Sequence, residues 1–227
     1  MGTHTTLKSA DGHSFDVYLA QPSGAVKGAV VIAPEIFGIN NYIRSVADRF
    51  AAQGYLTAAP ALFDRVERKY EAPYEQSDVE NGIAIIQKIP FEQAIADLQA
   101  TVEHIKLTQE RVAIVGFCWG GTLAWLASAK ITGLCASVSY YPGGIASNAD
   151  IKPLCPVMLH LGELDKSPTP QAAKEALANH PTLLTYFYPA GHGFNCDQRA
   201  SFSADDAAVS QVRTLKFLEL CTQRWSD

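Results

Sequence analysis

Val112-Ala113-Ile114-Val115-Gly116-Phe117-Cys118-Trp119-Gly120-Gly121 is the stretch on which the fold turns. An apolar run ends at Gly116 and a helical pattern begins just past Cys118, so the segment reads as a buried strand, a tight turn and a helix. Gly116-Phe117-Cys118-Trp119-Gly120 matches the Gly-x-nucleophile-x-Gly elbow, with cysteine where serine is commoner. The turn is so tight that side chains flanking the apex would clash, which accounts for the glycines. The apex residue sits in strained backbone and projects its sulfur above the sheet. The N-terminus of the following helix supplies partial positive charge beneath it, the setting in which a cysteine becomes nucleophilic. The backbone N–H of Trp119 is then available to a developing oxyanion. A buried free cysteine in a glycine-rich turn is the bland alternative.

Outward from this segment the same alternation repeats. Short apolar runs occur at Ala29–Ala33, Tyr55–Ala59, Arg111–Val115, Ser137–Tyr141, Val157–Leu161 and Leu184–Tyr188. Helical stretches occur at Tyr42–Gln53, Phe91–Lys106, Gly121–Lys130, Pro170–Asn179 and Ala204–Arg224. In the first of these, Tyr42, Ile43, Val46, Ala47 and Phe50 fall at spacings of three and four and make one helical face. The apolar runs do not alternate with polar residues, so they read as strands buried on both faces of a mostly parallel sheet. Strand and helix in turn imply an α/β domain with helices on both faces. Ahead of them, His4–Lys8 and Ser14–Leu19 flank Asp11-Gly12 and predict an N-terminal β-hairpin. Phe63–Asn81 has no clean period and is expected to be a long surface loop or a short helical excursion. No repeat or low-complexity segment interrupts the chain, and residues 1–227 are read as a single domain.

Two more strand ends carry chemistry. Leu159-His160-Leu161-Gly162-Glu163-Leu164-Asp165 places an acid at a strand's C-terminal end, where it can orient a histidine. Glu163 competes for that role, and capping of the helix near Pro170 is the structural alternative for Asp165. Tyr186-Phe187-Tyr188-Pro189-Ala190-Gly191-His192-Gly193-Phe194 places a histidine in a glycine-flanked loop after a strand. The order Cys118, Asp165, His192 is the nucleophile–acid–base order of α/β-hydrolases. His4, His13, His104, His160 and His180 lack such context and read as structural or surface groups. A fourth strand ends in Ala33-Pro34-Glu35-Ile36-Phe37-Gly38. Its loop should lie beside the elbow, with the Ile36 N–H as second oxyanion donor. Glu35, an acid at the mouth of an apolar pocket, can exchange a proton with a nearby thiol; a loop acid facing water is the bland alternative.

Composition bounds the rest. Of 227 residues 48% are apolar and 18% charged, with a formal net charge of −5. That suits one full core and provides no basic stripe for nucleic acid. No apolar run approaches the roughly 20 residues of a membrane span, and Met1 to Leu7 lacks the pattern of a secretory signal. The five cysteines are odd in number and widely spaced, with no Cys-x-x-Cys pair, which suits free thiols in a cytoplasmic setting and no zinc site.

The chain resembles the dienelactone hydrolase (carboxymethylenebutenolidase) family of α/β-hydrolases over nearly its whole length. The resemblance rests on Pro34-Glu35-Ile36-Phe37-Gly38, Gly54-Tyr55, Ala59-Pro60-Ala61-Leu62-Phe63, Gly116-Phe117-Cys118-Trp119-Gly120-Gly121, Gly162-Glu163-Leu164-Asp165 and Ala190-Gly191-His192-Gly193-Phe194. It implies Cys118 as nucleophile, Asp165 as acid and His192 as base. It also implies that Glu35 is held near the thiol at rest and moves on substrate binding to take the thiol proton. Relatives that cleave dienelactone grip its carboxylate with two arginines. Here Tyr70–Gly82 holds none, and Arg65 and Arg68 are the nearest. After the base, the fourth residue is Cys196 and the first arginine is Arg199, in shifted register. Arg199, Phe37 and Tyr74 are the expected substrate-binding side chains. The expected activity is cleavage of a small ester or lactone through a covalent acyl-enzyme, without metal or organic cofactor, by a monomer or small homo-oligomer. A thioesterase or acyltransferase on the same fold, or a non-catalytic binding protein, are the alternatives.

Overall fold

The structure, a computed structural model, describes residues 2–223. Strands β1 (Thr3–Lys8) and β2 (Ser14–Ala20) form the antiparallel hairpin that Asp11-Gly12 predicts. β2 also pairs antiparallel with β4 (Tyr55–Pro60), so the hairpin extends the main sheet. The remaining strands are β3 (Gly28–Ala33), β5 (Val112–Phe117), β6 (Ala136–Tyr140), β7 (Val157–Gly162) and β8 (Leu184–Tyr188). Their pairings, and that of β3 with β4, are all parallel. The described residues form an eight-stranded sheet in the order β1-β2-β4-β3-β5-β6-β7-β8.

The central strands lack alternation because both faces are covered. Every residue of β3, β5, β6 and β7 is buried. Successive residues still point to opposite faces. Val112 and Ile114 enter one core with Leu98 and Leu123, whereas Ala113, Val115 and Phe117 enter the other with Tyr42 and Phe217. Helices α1 (Asn41–Ala52) and α6 (Ala204–Thr222) cover the second core. α3 (Phe91–Lys106) and α4 (Trp119–Lys130) cover the first. The Asn40 side chain caps α1 by accepting the Ile43 N–H at 3.2 Å, and α1 buries the Tyr42, Ile43, Val46, Ala47 and Phe50 face read from the sequence. Fully burying each large apolar side chain of that face stabilises the fold by about 1.5–3 kcal/mol. α4 is buried continuously from Trp119 to Ser128, as a helix that is apolar all round must be. Arg224, read as the end of the last helix, lies outside the described residues.

The segment read as a long loop or a short helical excursion contains α2 (Gln76–Ile86), which runs past the expected end at Asn81. A capping box between Glu75 and Asp78 starts it, and a 3₁₀ turn at Leu62–Arg65 precedes it. Its apolar residues serve two directions. Gly82 and Ile85 are buried, whereas Ile83 is exposed and Val79 and Ile86 are half-buried. Splitting the apolar residues between two faces erases the single stripe that marks a helix in sequence.

Candidate active site

Cys118 sits where β5 gives way to α4, with φ 56° and ψ −115°. A non-glycine residue held in this region costs about 1–3 kcal/mol and persists only where the surroundings fix it. Here its N–H donates to Tyr140 O at 3.0 Å and its carbonyl accepts the Thr122 N–H at 3.1 Å. Close approach explains the flanking glycines. A Cβ on Gly116 would lie 1.9 Å from Gly120 O, and one on Gly120 would lie 2.1 Å from Ala33 O. The second contact also brings the loop after β3 against the elbow, as the sequence implied. Phe117 packs beneath, its ring 4.8 Å from Tyr140 and 6.1 Å from Tyr42.

Asp165 and His192 meet above this turn. His192 Nδ1 stands 2.8 Å from Asp165 Oδ2, and the other carboxylate oxygen accepts the Ser167 N–H at 2.9 Å. Asp165 is buried and does not cap the nearby helix α5 (Pro170–Leu177), whose cap is Thr169. Glu163 is exposed and takes no part in this pairing. Cys118 lines the same pocket as the imidazole and bears on its protonation. Burial works against a charge on His192, but Cys118 and the Asp165 carboxylate outweigh it and push the imidazole up to about 10. The Tyr141 ring lies 5.0 Å from that of His192.

Glu35 differs from expectation in its partners. It is fully buried, and its two oxygens are taken by the Tyr74 hydroxyl at 3.0 Å and by Arg199 Nη1 at 3.1 Å. The acid thus pairs with an arginine. The Arg199 guanidinium lies 5.7 Å from the Phe37 ring and 5.8 Å from the Tyr74 ring. Phe37 and Tyr74, expected against substrate, are absent from the pocket lining and brace Arg199 and Glu35 from behind. The physical reason is that a buried ion pair needs its remaining polar valences satisfied and its faces packed. Arg199 itself reaches the pocket in spite of its shifted register. Arg65 and Arg68 do not: Arg65 binds Asp97 and Asp11, and Arg68 binds Asp16 and Asp64.

Cys118, Asp165, His192, Ile36, Trp119 and Arg199 all line one pocket of about 610 Å³. Val79, Ile83 and Ile86 of α2, with Phe91 and Leu164, supply its apolar wall, and Lys166 stands at it as a further cation. That wall is the part sequence reasoning missed. Trp119 is pocket wall, whereas Trp125 packs internally and donates from Nε1 to Asn148 O at 2.8 Å. Among the described residues no group of three or more His, Cys, Asp or Glu side chains is arranged to hold a metal, and no helix is long and apolar enough to cross a membrane.

Comparison with known proteins places the chain in a family. The model of the dienelactone hydrolase family matches residues 15–221. Carboxymethylenebutenolidase 1 of Cupriavidus pinatubonensis is 30% identical over 94% of this chain and 95% of its own length. The carboxymethylenebutenolidase of Pseudomonas putida is also 30% identical, over 94% of each chain. A solved structure from Klebsiella pneumoniae, named as a candidate dienelactone hydrolase, is similar with a TM-score of 0.81 and 29% identity, covering 96% of this chain and 98% of its own. The chain therefore belongs to the dienelactone hydrolase family and is a hydrolase of that type on the α/β-hydrolase fold.

Proposed function

We propose that the chain cleaves small carboxylic esters or lactones by covalent catalysis at Cys118. The observation that carries this reading is the aligned set of a strained cysteine at a helix N-terminus, an imidazole beside it, and a buried carboxylate 2.8 Å behind that imidazole. For attack the Cys118 proton passes to His192, whose imidazolium form the Asp165 carboxylate behind the ring stabilises. Cys118 Sγ attacks the carbonyl carbon, a C–S bond forms, and the carbonyl π pair moves to oxygen. The N–H groups of Trp119 and Ile36 receive that charge; Trp119 opens α4, where the first N–H groups of a helix have no intrahelical partner. Collapse breaks the C–O bond, and His192 gives its proton to the departing alkoxide. His192, now neutral, takes a proton from water as it attacks the thioester. Collapse of the second intermediate expels the Cys118 thiolate and leaves the carboxylic acid product. Asp165 holds the imidazole orientation throughout. Glu35 enters as the anchor of Arg199.

The test is hydrolysis of p-nitrophenyl acetate and of a dienelactone by the purified chain and by Cys118→Ala. Loss of the nucleophile should lower kcat/KM by at least about 10³-fold. Hydrolysis at an undiminished rate in the variant would overturn the assignment.

A further inference from the structure

Five apolar side chains stand around the mouth of the pocket that holds Cys118. Val79, Ile83 and Ile86 come from one helix, Phe91 from the start of the next, and Leu164 from the turn that carries Asp165. Ile83, Phe91 and Leu164 are 41%, 37% and 68% exposed, three large hydrophobic residues left open to water at one place. Scattered exposed apolar residues need no explanation, but a cluster rimming a cleft marks a binding surface.

The wall is also fixed in position. A Cβ on Gly82 would lie 2.2 Å from Ile36 O, so the backbone of α2 rests directly on the loop that bears Ile36. Across the pocket, the Gly144 N–H donates to Thr122 Oγ1 at 2.9 Å and holds the facing loop to α4. The apolar surface is therefore built at a set height above the elbow.

The pocket is lined by Lys166, which is exposed to water, and by Arg199. Arg199 is already paired with buried Glu35, and Arg65 and Arg68 are paired away from the site. A carboxylate seated on Val79, Ile83, Ile86 and Phe91 would lose water there, and would meet Arg199 only in competition with Glu35 and Lys166 only at the exposed side of the pocket.

We infer that the substrate carries an uncharged apolar acyl group, seated on Val79, Ile83, Ile86, Phe91 and Leu164, in place of a carboxylate beside the scissile bond. The acyl portion is the part that stays on Cys118 through both half-reactions, so a fixed wall serves each of them. The inference rests on the ester-hydrolysis reading. Each methylene buried on such a wall raises kcat/KM by about three- to fourfold.

The experiment compares p-nitrophenyl acetate, p-nitrophenyl hexanoate and mono-p-nitrophenyl succinate on the intact chain and on Ile83→Asp. Hexanoate should exceed both other esters in kcat/KM by at least about tenfold. Ile83→Asp, at an exposed position, should lower the hexanoate-to-acetate ratio by at least about fivefold. Equal acetate and hexanoate rates, or succinate as the best ester, would overturn the inference while leaving the reaction intact. Binding of hexananilide to Cys118→Ala, read by calorimetry, separates the two claims. Ile83-dependent binding without hydrolysis of any ester by the intact chain would sustain the subsite and overturn the reaction. Absence of both would overturn both.

Discussion

At Cys118 the backbone is held at φ 56° by hydrogen bonds from both of its peptide groups and by glycines that admit its neighbours. That strain serves no packing purpose, since a relaxed turn would bury a cysteine as well. It makes sense if the sulfur must stand beside His192. Removing the imidazole should then slow labelling of Cys118 by iodoacetamide at pH 7 by at least about tenfold, because the thiol loses the cation that favours thiolate. An unchanged labelling rate in His192→Ala would show that His192 does not activate the sulfur. Asp165 contributes to the imidazole's rise to about 10. Asp165→Asn should therefore move the alkaline limb of the pH–kcat/KM profile downward by about one unit or more, with a lower plateau. A limb that stays in place would separate Asp165 from the titration. Tyr141 gives a contrasting case. It is fully buried and its hydroxyl has no hydrogen-bond partner. Tyr141→Phe removes an unsatisfied polar atom and should leave thermal stability equal or higher; a fall in Tm of several degrees would mean that the hydroxyl has a partner in solution.

Among the elements, α2 decides the character of the pocket. Its Gly82 lies against Ile36 so closely that Gly82→Ala must displace either the helix or the loop. A cost of about 1–3 kcal/mol in stability follows from overpacking of this kind, together with weaker turnover as the Ile36 N–H shifts. Urea unfolding and kcat measured on the same variant check this, and a variant with wild-type values in both would show that the contact is slack. α2 is also where the sequence was least legible. β5 and α4 announce themselves because each does one thing: the strand is buried on both faces and the helix on all sides. α2 divides its apolar residues between the core and the pocket mouth, so no single period emerges. Cys118, Asp165 and His192 were legible because strand ends of an α/β sheet converge on one edge. The Glu35–Arg199 pair was not, because 164 residues separate its members and only the folded loops reveal that each neutralises the other.

Over the whole molecule, one buried and one half-buried histidine push stability in different pH windows. His160 is fully buried between the Tyr188 hydroxyl at 2.8 Å and Thr214 Oγ1 at 2.9 Å. Burial, with Arg213 nearby, holds its imidazole down to about 3 from an ordinary value of 6.5. Between those values the unfolded chain binds the proton and the folded chain does not. Its contribution is thus intact above 6.5 and is lost as pH falls toward 3, at up to about 1.4 kcal/mol per pH unit. His192 is raised, so its contribution is intact below 6.5 and is lost as pH rises toward 10. Urea unfolding at pH 7 and pH 5 should show a smaller acid loss in His160→Gln than in the unaltered chain, whatever the absolute stability of the variant. Equal losses would place the acid sensitivity elsewhere. The same architecture that buries His160 deep in the sheet raises His192 at its edge, where the pocket opens. The central claim is that a substrate acyl group passes through the sulfur at that edge. Rapid acid quench of the chain during turnover of a p-nitrophenyl ester, followed by mass analysis of its peptides, tests this most directly. The acyl mass should appear on Cys118, labile to hydroxylamine; an acyl group found on another residue while hydrolysis proceeds would contradict a passage through this sulfur.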